Sequence, residues 1–140
     1  MLPFIDFKPD IIHCNDWQTA LVPTYYSLFY GQNQWYQGIK TIFTIHNIQY
    51  QGKYGTELYE EVVGIPPHQR SVLDWDGCIN FMKGAIETAN RVTTVSPSYA
   101  WEIRDPWFSH GLDPILNARS WKLCGILNGI DTDSYNPETD

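Results

Sequence analysis

Thr41-Ile42-Phe43-Thr44-Ile45-His46-Asn47-Ile48-Gln49-Tyr50-Gln51-Gly52 is a β-rich apolar run that delivers a histidine and an amide into a glycine-ended loop. Ile42, Phe43 and Ile45 are β-branched or aromatic and suit a buried strand better than a helix face, so Lys40 to Ile45 reads as a strand. His46 and Asn47 stand where that strand stops, and Gly52 ends the loop that follows. In an open α/β sheet, loops at the carboxyl ends of parallel strands form the crevice where ligands bind. The question for the rest of the chain is whether other strands deliver polar residues to the same edge.

Upstream, Ile11-Ile12-His13-Cys14 is a short apolar strand ending in Asn15-Asp16. The Asp16 carboxylate is placed to cap a following helix. Trp17, Leu21, Tyr25, Leu28 and Phe29 fall on one face of that helix. Pro23 predicts a kink or a late start, and Gly31 a stop. Strand, helix and strand form a βαβ unit with parallel strands and a right-handed crossover.

Downstream, Gln49 to Asp76 is irregular, with a short helix near Glu57 to Val63. So long an excursion from a strand's carboxyl end points to function. Cys78, Met82, Ala85, Ile86 and Ala89 predict an amphipathic helix over Gly77 to Thr88, followed by a third strand, Arg91 to Val95. Ser96-Pro97 is an N-cap followed by proline at the first helical position. Another short helix follows Gly111. Lys122 to Leu127 is a fourth strand, and Asn128-Gly129 is a turn signal. Residues Asp131 to Asp140 read as a polar exit segment. The alternation predicts a parallel, Rossmann-like α/β sheet with flanking helices.

Each strand thus ends in a polar cluster: His13 to Asp16, His46-Asn47, Ser96, and Asn128-Gly129. Parallel strands would turn all four towards one crevice. The competing reading of Asp16 and Ser96 is helix capping, and of Asn128-Gly129 a plain turn. His46-Asn47 has no helix start directly after it, which leaves ligand contact and loop structure both open. A metal site built from His13, Asp16 and His46 matches no recognised spacing. Trp35, Tyr36, Tyr50 and Tyr54, with Gln49 and Gln51, suit sugar faces and hydroxyls, and equally suit ordinary packing.

Bulk properties narrow the classes. The 140 residues suffice for one domain with a core, and 43% apolar with 15% aromatic residues is a globular composition. A net charge of −7 disfavours nucleic acid and anionic membranes as partners. Cys14, Cys78 and Cys124 show no C-x-x-C pair and read as reduced, mostly buried thiols of a cytoplasmic protein. No signal peptide and no membrane-spanning run is expected. Phosphate-binding glycine motifs and the G-x-S-x-G elbow are absent.

His13-Cys-Asn-Asp-Trp-Gln-Thr, Phe43-Thr-Ile-His-Asn-Ile-Gln-Tyr-Gln-Gly, Phe81-Met-Lys-Gly-Ala-Ile, Thr94-Val-Ser-Pro-Ser-Tyr-Ala-Trp-Glu-Ile and Gly125-Ile-Leu-Asn-Gly-Ile-Asp, with Asn136-Pro-Glu-Thr-Asp after them, together resemble the bacterial glycogen synthase and plant starch synthase family. The resemblance implies a retaining glucosyltransferase that moves glucose from ADP-glucose to the non-reducing end of an α-1,4-glucan. It also implies a GT-B architecture of two Rossmann-like domains, with no metal or other cofactor, since ADP-glucose is a substrate. Residues 1–140 correspond to the second half of the N-terminal, acceptor-side domain. The family's Lys-x-Gly-Gly loop and the donor-binding C-terminal domain have no counterpart here. The family is cytoplasmic in bacteria and plastidic in plants.

Carried over by motif, His46 matches a histidine lining the donor glucose, and Asp16 an aspartate needed for activity. Asn128 matches an asparagine bordering the cleft, while Asn47, Tyr50 and Gln51 are substrate-binding candidates by neighbourhood. Asn15 departs from the family, where histidine often precedes the aspartate. The implied partners are ADP-glucose and α-1,4-glucan. Rival readings are a related nucleotide-sugar transferase and a non-catalytic carbohydrate-binding module. A sheet lacking its first strands is also expected to leave an unpaired edge and an uncovered face, inviting self-association.

Overall fold

The computed structural model describes residues 2–132 and 134–136. Residues 137–140 of the predicted exit segment, and the Pro-Glu-Thr-Asp of the last quoted motif, lie outside the described residues. Four parallel strands, β1 (Ile11–Asn15), β2 (Lys40–Ile45), β6 (Arg91–Thr94) and β7 (Leu123–Gly125), form the main sheet in the order β1-β2-β6-β7. The predicted strands are therefore all present and parallel, and their carboxyl ends share one edge.

Register places Cys14, Phe43, Ile45, Val92 and Thr94 on one face. There Phe43, Ile45 and Val92 are buried with Ala20, Met82, Ala85 and Ile86 from the helices. Removing each such side chain from water contributes roughly 1.5–3 kcal/mol. The other face carries Ile11, His13, Asn15, Thr44, Thr93 and Cys124, and no helix covers it at β1, where Ile11, His13 and Asn15 are exposed. It is tied by hydrogen bonds between His13 Nε2 and Thr44 Oγ1 at 2.7 Å and between Thr44 and Thr93 hydroxyls at 2.6 Å. Cys124 is exposed on this side, against the expectation of mostly buried thiols; Cys14 is buried, and burial pushes its thiol pKa up.

Pro23 explains the first connection. After a 3₁₀ turn at Trp17–Thr19, the α-helix α1 (Leu21–Tyr25) starts late, with Pro23 in its first turn where a missing N–H costs little. The chain then widens into a π-turn at Tyr26–Tyr30, ending at Gly31.

A second sheet, antiparallel and of three short strands, was not expected. It comprises β3 (Lys53–Tyr54), β4 (Asp74–Trp75) and β5 (Cys78–Asn80), in the order β3-β5-β4. Two or three residues are too few for periodicity to show. A signal was nonetheless present: Asp76-Gly77 joins β4 to β5 as a two-residue hairpin loop with φ of 50° and 74°, the left-handed pair a type I′ turn requires.

The strand β5 also corrects the helix predicted over Gly77 to Thr88. The helix α2 (Phe81–Thr88) starts later because the Asn80 side chain caps it, accepting from Lys83 N–H at 2.9 Å. Ser96 caps α3 (Pro97–Glu102) as predicted, accepting from Tyr99 N–H at 3.0 Å. The helix α4 (Asp113–Ala118) follows Gly111. Asn128-Gly129, in contrast, forms no turn: neither residue has positive φ, and the chain runs extended past β6 with Asn128 N–H donating to Val95 O at 3.3 Å.

Candidate functional site

At the carboxyl edge, β1 ends in Asn15-Asp16 and β2 in His46-Asn47. Asp16 occupies the N-cap position of the first turn, yet its carboxylate caps nothing there. Its Oδ1 instead accepts from the backbone N–H of His46 at 2.9 Å, which overturns the capping reading. Its own N–H donates to Thr44 O at 3.0 Å, continuing the ladder past the strand end. Asp16 holds φ 56°, ψ 177°, a region that L-residues avoid. Asn15 Oδ1 lies 3.0 Å from His46 Nε2. Two adjacent residues at the end of β1, Asn15 within it and Asp16 just beyond, therefore grip both the ring and the backbone of His46.

Beyond His46 the loop is pinned from beneath. Asn47 Oδ1 accepts from Gln49 N–H at 2.9 Å, closing an Asx turn. Ile48 is buried, and its N–H donates to the Tyr99 hydroxyl of α3 at 3.1 Å. Gln51 is only 3% exposed. Its amide donates to Ile48 O at 3.0 Å and His110 O at 3.2 Å, while its oxygen accepts from Asn80 at 2.8 Å. Both ends of the Gln51 side-chain amide are thus engaged inside the protein, where the residue braces the loop from beneath while also lining the neighbouring groove. What remains outward is His46, Asn47, Gln49 and Tyr50, all exposed.

Asp16, Trp17, Gln18, Asn47 and Tyr50 line a pocket of about 290 Å³. It shares Trp17 and Tyr50 with a neighbouring groove of about 410 Å³ that runs over Gly52, Lys53, Tyr54 and His110. Trp17 tilts against Tyr54 at 6.1 Å between ring centroids, and Tyr54 against Phe81 at 5.2 Å. A Cβ at Gly52, where φ is 67°, would stand 2.8 Å from the Trp17 ring, so only glycine lets the loop approach this aromatic wall. The larger cavity, about 650 Å³, opens at the amino end of the sheet beside Lys40, Arg91 and Trp121. It contains none of the residues that converge at the carboxyl edge, and volume alone does not outweigh that convergence.

The structure therefore brings together Asp16, His46, Asn47 and Tyr50. Asn128 is exposed beyond β7 and lines neither pocket. Trp35 and Tyr36 lie elsewhere, meeting edge to face with centroids 4.9 Å apart. Sequence reasoning assigned Trp17 only to a helix face and gave no role to Asn15, Gln18 or His110. The adjacency of Asn15 to Asp16 was the available signal for the first. His13 is bound to Thr44, and among the described residues no three His, Cys, Asp or Glu side chains converge as metal ligands. No helix among them is long and apolar enough to cross a membrane.

A parallel α/β sheet whose carboxyl edge offers a gripped histidine, an exposed asparagine and an aromatic groove has the architecture of a Rossmann-like ligand-binding domain. A family profile described as the starch synthase catalytic domain matches residues 1–118, and the chain belongs to that family. It is 48% identical to a glycogen synthase of Lachnospira eligens across 99% of this chain and 30% of that protein. A glycogen synthase of Streptococcus mutans is also 48% identical, across 97% of this chain and 29% of its own length. Among solved structures, the catalytic domain of starch synthase IV from Arabidopsis thaliana, bound to ADP and acarbose, superposes with a TM-score of 0.76 at 43% identity. That match covers 95% of this chain and 28% of the other. The chain spans about 30% of the curated relatives' length.

Proposed function

We propose that the chain supplies the acceptor-side part of the N-terminal domain in a GT-B retaining glucosyltransferase, which moves glucose from ADP-glucose to the non-reducing end of an α-1,4-glucan. The observation that carries this reading is the convergence of His46, Asp16 and Asn47 beside the groove formed by Trp17, Tyr50 and Tyr54, in a chain of the starch synthase family. Glucosyl transfer passes through an oxocarbenium-like state, and polar groups held rigidly at a strand end stabilise such charge without reorganising. His46 lines the donor glucose in this reading. Asp16 fixes the loop that carries it, and the rings with their polar edges receive the glucan. Asn128, beyond β7 and outside both cavities, keeps only the cleft-border role that its motif implies.

Basic groups for the departing diphosphate belong to the remainder of the polypeptide in this reading, and no metal or other cofactor is assigned. The test is radiolabel transfer from ADP-glucose to glycogen, with and without chelator. The full-length polypeptide is expected to extend the glucan in both cases, and the 140-residue chain to give a blank. Glucan binding without transfer by the full-length polypeptide would favour a carbohydrate-binding module instead, and use of another nucleotide sugar a related transferase. The exposed edge of β1, with Ile11 52% exposed, also supports self-association of the isolated chain. A monomer at every concentration in light scattering would refute that part.

A further inference from the structure

We infer that Asn15 is a positioning residue that selects the tautomer and orientation of the His46 ring. Asn15 Oδ1 lies 3.0 Å from His46 Nε2, and an amide oxygen only accepts. The neutral ring therefore keeps its proton on Nε2 and presents Nδ1 as a bare acceptor. The hydrogen bond made by one ring nitrogen decides the state of the other.

The rest of the geometry makes this a built arrangement. Asp16, the next residue, holds the His46 backbone N–H at 2.9 Å, so neither the loop nor the ring is left to pivot. Asn15 in turn is fixed by β1, where it registers with Thr44, and its carbonyl accepts from the Thr19 hydroxyl at 2.7 Å. Asn15 ends β1 with Asp16 directly after it, and His46 directly follows β2, so the paired strand ends set their spacing.

In the glucosyltransferase reading, on which only the kinetic part of this inference rests, Nδ1 is then an acceptor for a sugar hydroxyl. The ring orders that hydroxyl instead of donating to it. A residue at position 15 that cannot accept frees both the tautomer and the ring torsion.

The test uses the full-length polypeptide with histidine labelled in ¹⁵N, read by long-range proton–nitrogen correlation at alkaline pH, with His46→Gln identifying the signals. Wild type is expected to show the Nε2–H tautomer, and Asn15→Asp, which keeps an acceptor of the same size, to retain it. Asn15→Leu is expected to show a mixture or the opposite tautomer. Its kcat should fall about tenfold to a hundredfold with KM for glucan little changed, and Asn15→Asp should recover most of that loss. A wild-type ring protonated on Nδ1, or an unchanged tautomer in Asn15→Leu, would overturn the inference. If Asn15→Leu does not fold, Asn15→Ala, read in the same way, takes its place. Absence of transfer by wild type, with the Nε2–H signature intact, would instead defeat the functional reading and leave Asn15's role standing.

Discussion

The two ends of the main sheet both carry polar side chains, and they use them differently. At the amino end, buried Lys122 donates to Glu87 O at 2.9 Å and Ala89 O at 2.6 Å, capping the carbonyls that α2 leaves unpaired. Glu87 pairs with Arg119 at 2.7 Å, and Asn90 Oδ1 accepts from Thr41 N–H at 2.8 Å. These polar groups are consumed in joining helix to strand. At the carboxyl end Asp16 and Asn15 are spent on His46, while His46 itself, Asn47 and Tyr50 stay exposed. Polar groups that neutralise each other hold a fold, whereas polar groups held in place by others but left open are available to a ligand. The larger cavity is at the first end, and the held but exposed polar groups are at the second.

Substitutions can break this contrast. The largest effect is expected from His46→Ala in the full-length polypeptide: turnover down by about 10²- to 10⁴-fold with the melting temperature unchanged. Near-normal turnover would make His46 another structural group and erase the difference between the ends. Gly125→Ala should do the reverse. A Cβ there enters the backbone of Ser96, which cannot step aside as a side chain could, so stability should drop by about 1–3 kcal/mol in urea titration.

Tyr50→Ala should raise KM for glucan about threefold to tenfold, as loss of one ring contact of about 0.5–1.5 kcal/mol implies, with kcat retained. An unchanged KM would remove Tyr50 from the acceptor path. The smallest expected effect is at the amino end. Burial lowers the Lys122 pKa to about 8 from 10.5. Between those values the unfolded chain holds more protons at this residue than the folded one, so its contribution to stability increases as pH rises from 8 to 10.5 and is lost as pH falls back through 8. Lys122→Met should lack that rise, seen as a smaller gain in urea midpoint between pH 8 and 9.5 than in wild type. Parallel curves would show that Lys122 is not desolvated.

What could be read from sequence follows the same contrast. Strands such as Lys40 to Ile45 are legible because burial demands a run of apolar side chains, and Ser96-Pro97 because a cap needs a hydroxyl and a fixed φ. His46 was legible because a polar pair stood where a strand had to end. The inward bonds of Gln51 were not legible because a buried amide and a ligand-facing amide have the same letter; they depend on Asn80 and His110, 29 and 59 residues away. Asp16 was misread for a related reason, since its partner lies on the adjacent strand and not in the next turn. Asn128-Gly129 and Asp76-Gly77 show that a turn dipeptide takes effect only where two strands are available to pair across it.

Asp16 has one more consequence, for anyone screening variants by thermal tolerance. Glycine at position 16 would adopt φ 56°, ψ 177° freely, recovering about 1–3 kcal/mol of backbone strain. The same change gives up a charge-assisted hydrogen bond worth about 1.5–3 kcal/mol. The two nearly cancel, so a heat-challenge library would score Asp16→Gly as silent while the His46 loop had lost its tether. Position 16 is a blind spot for stability selection and has to be scored by turnover.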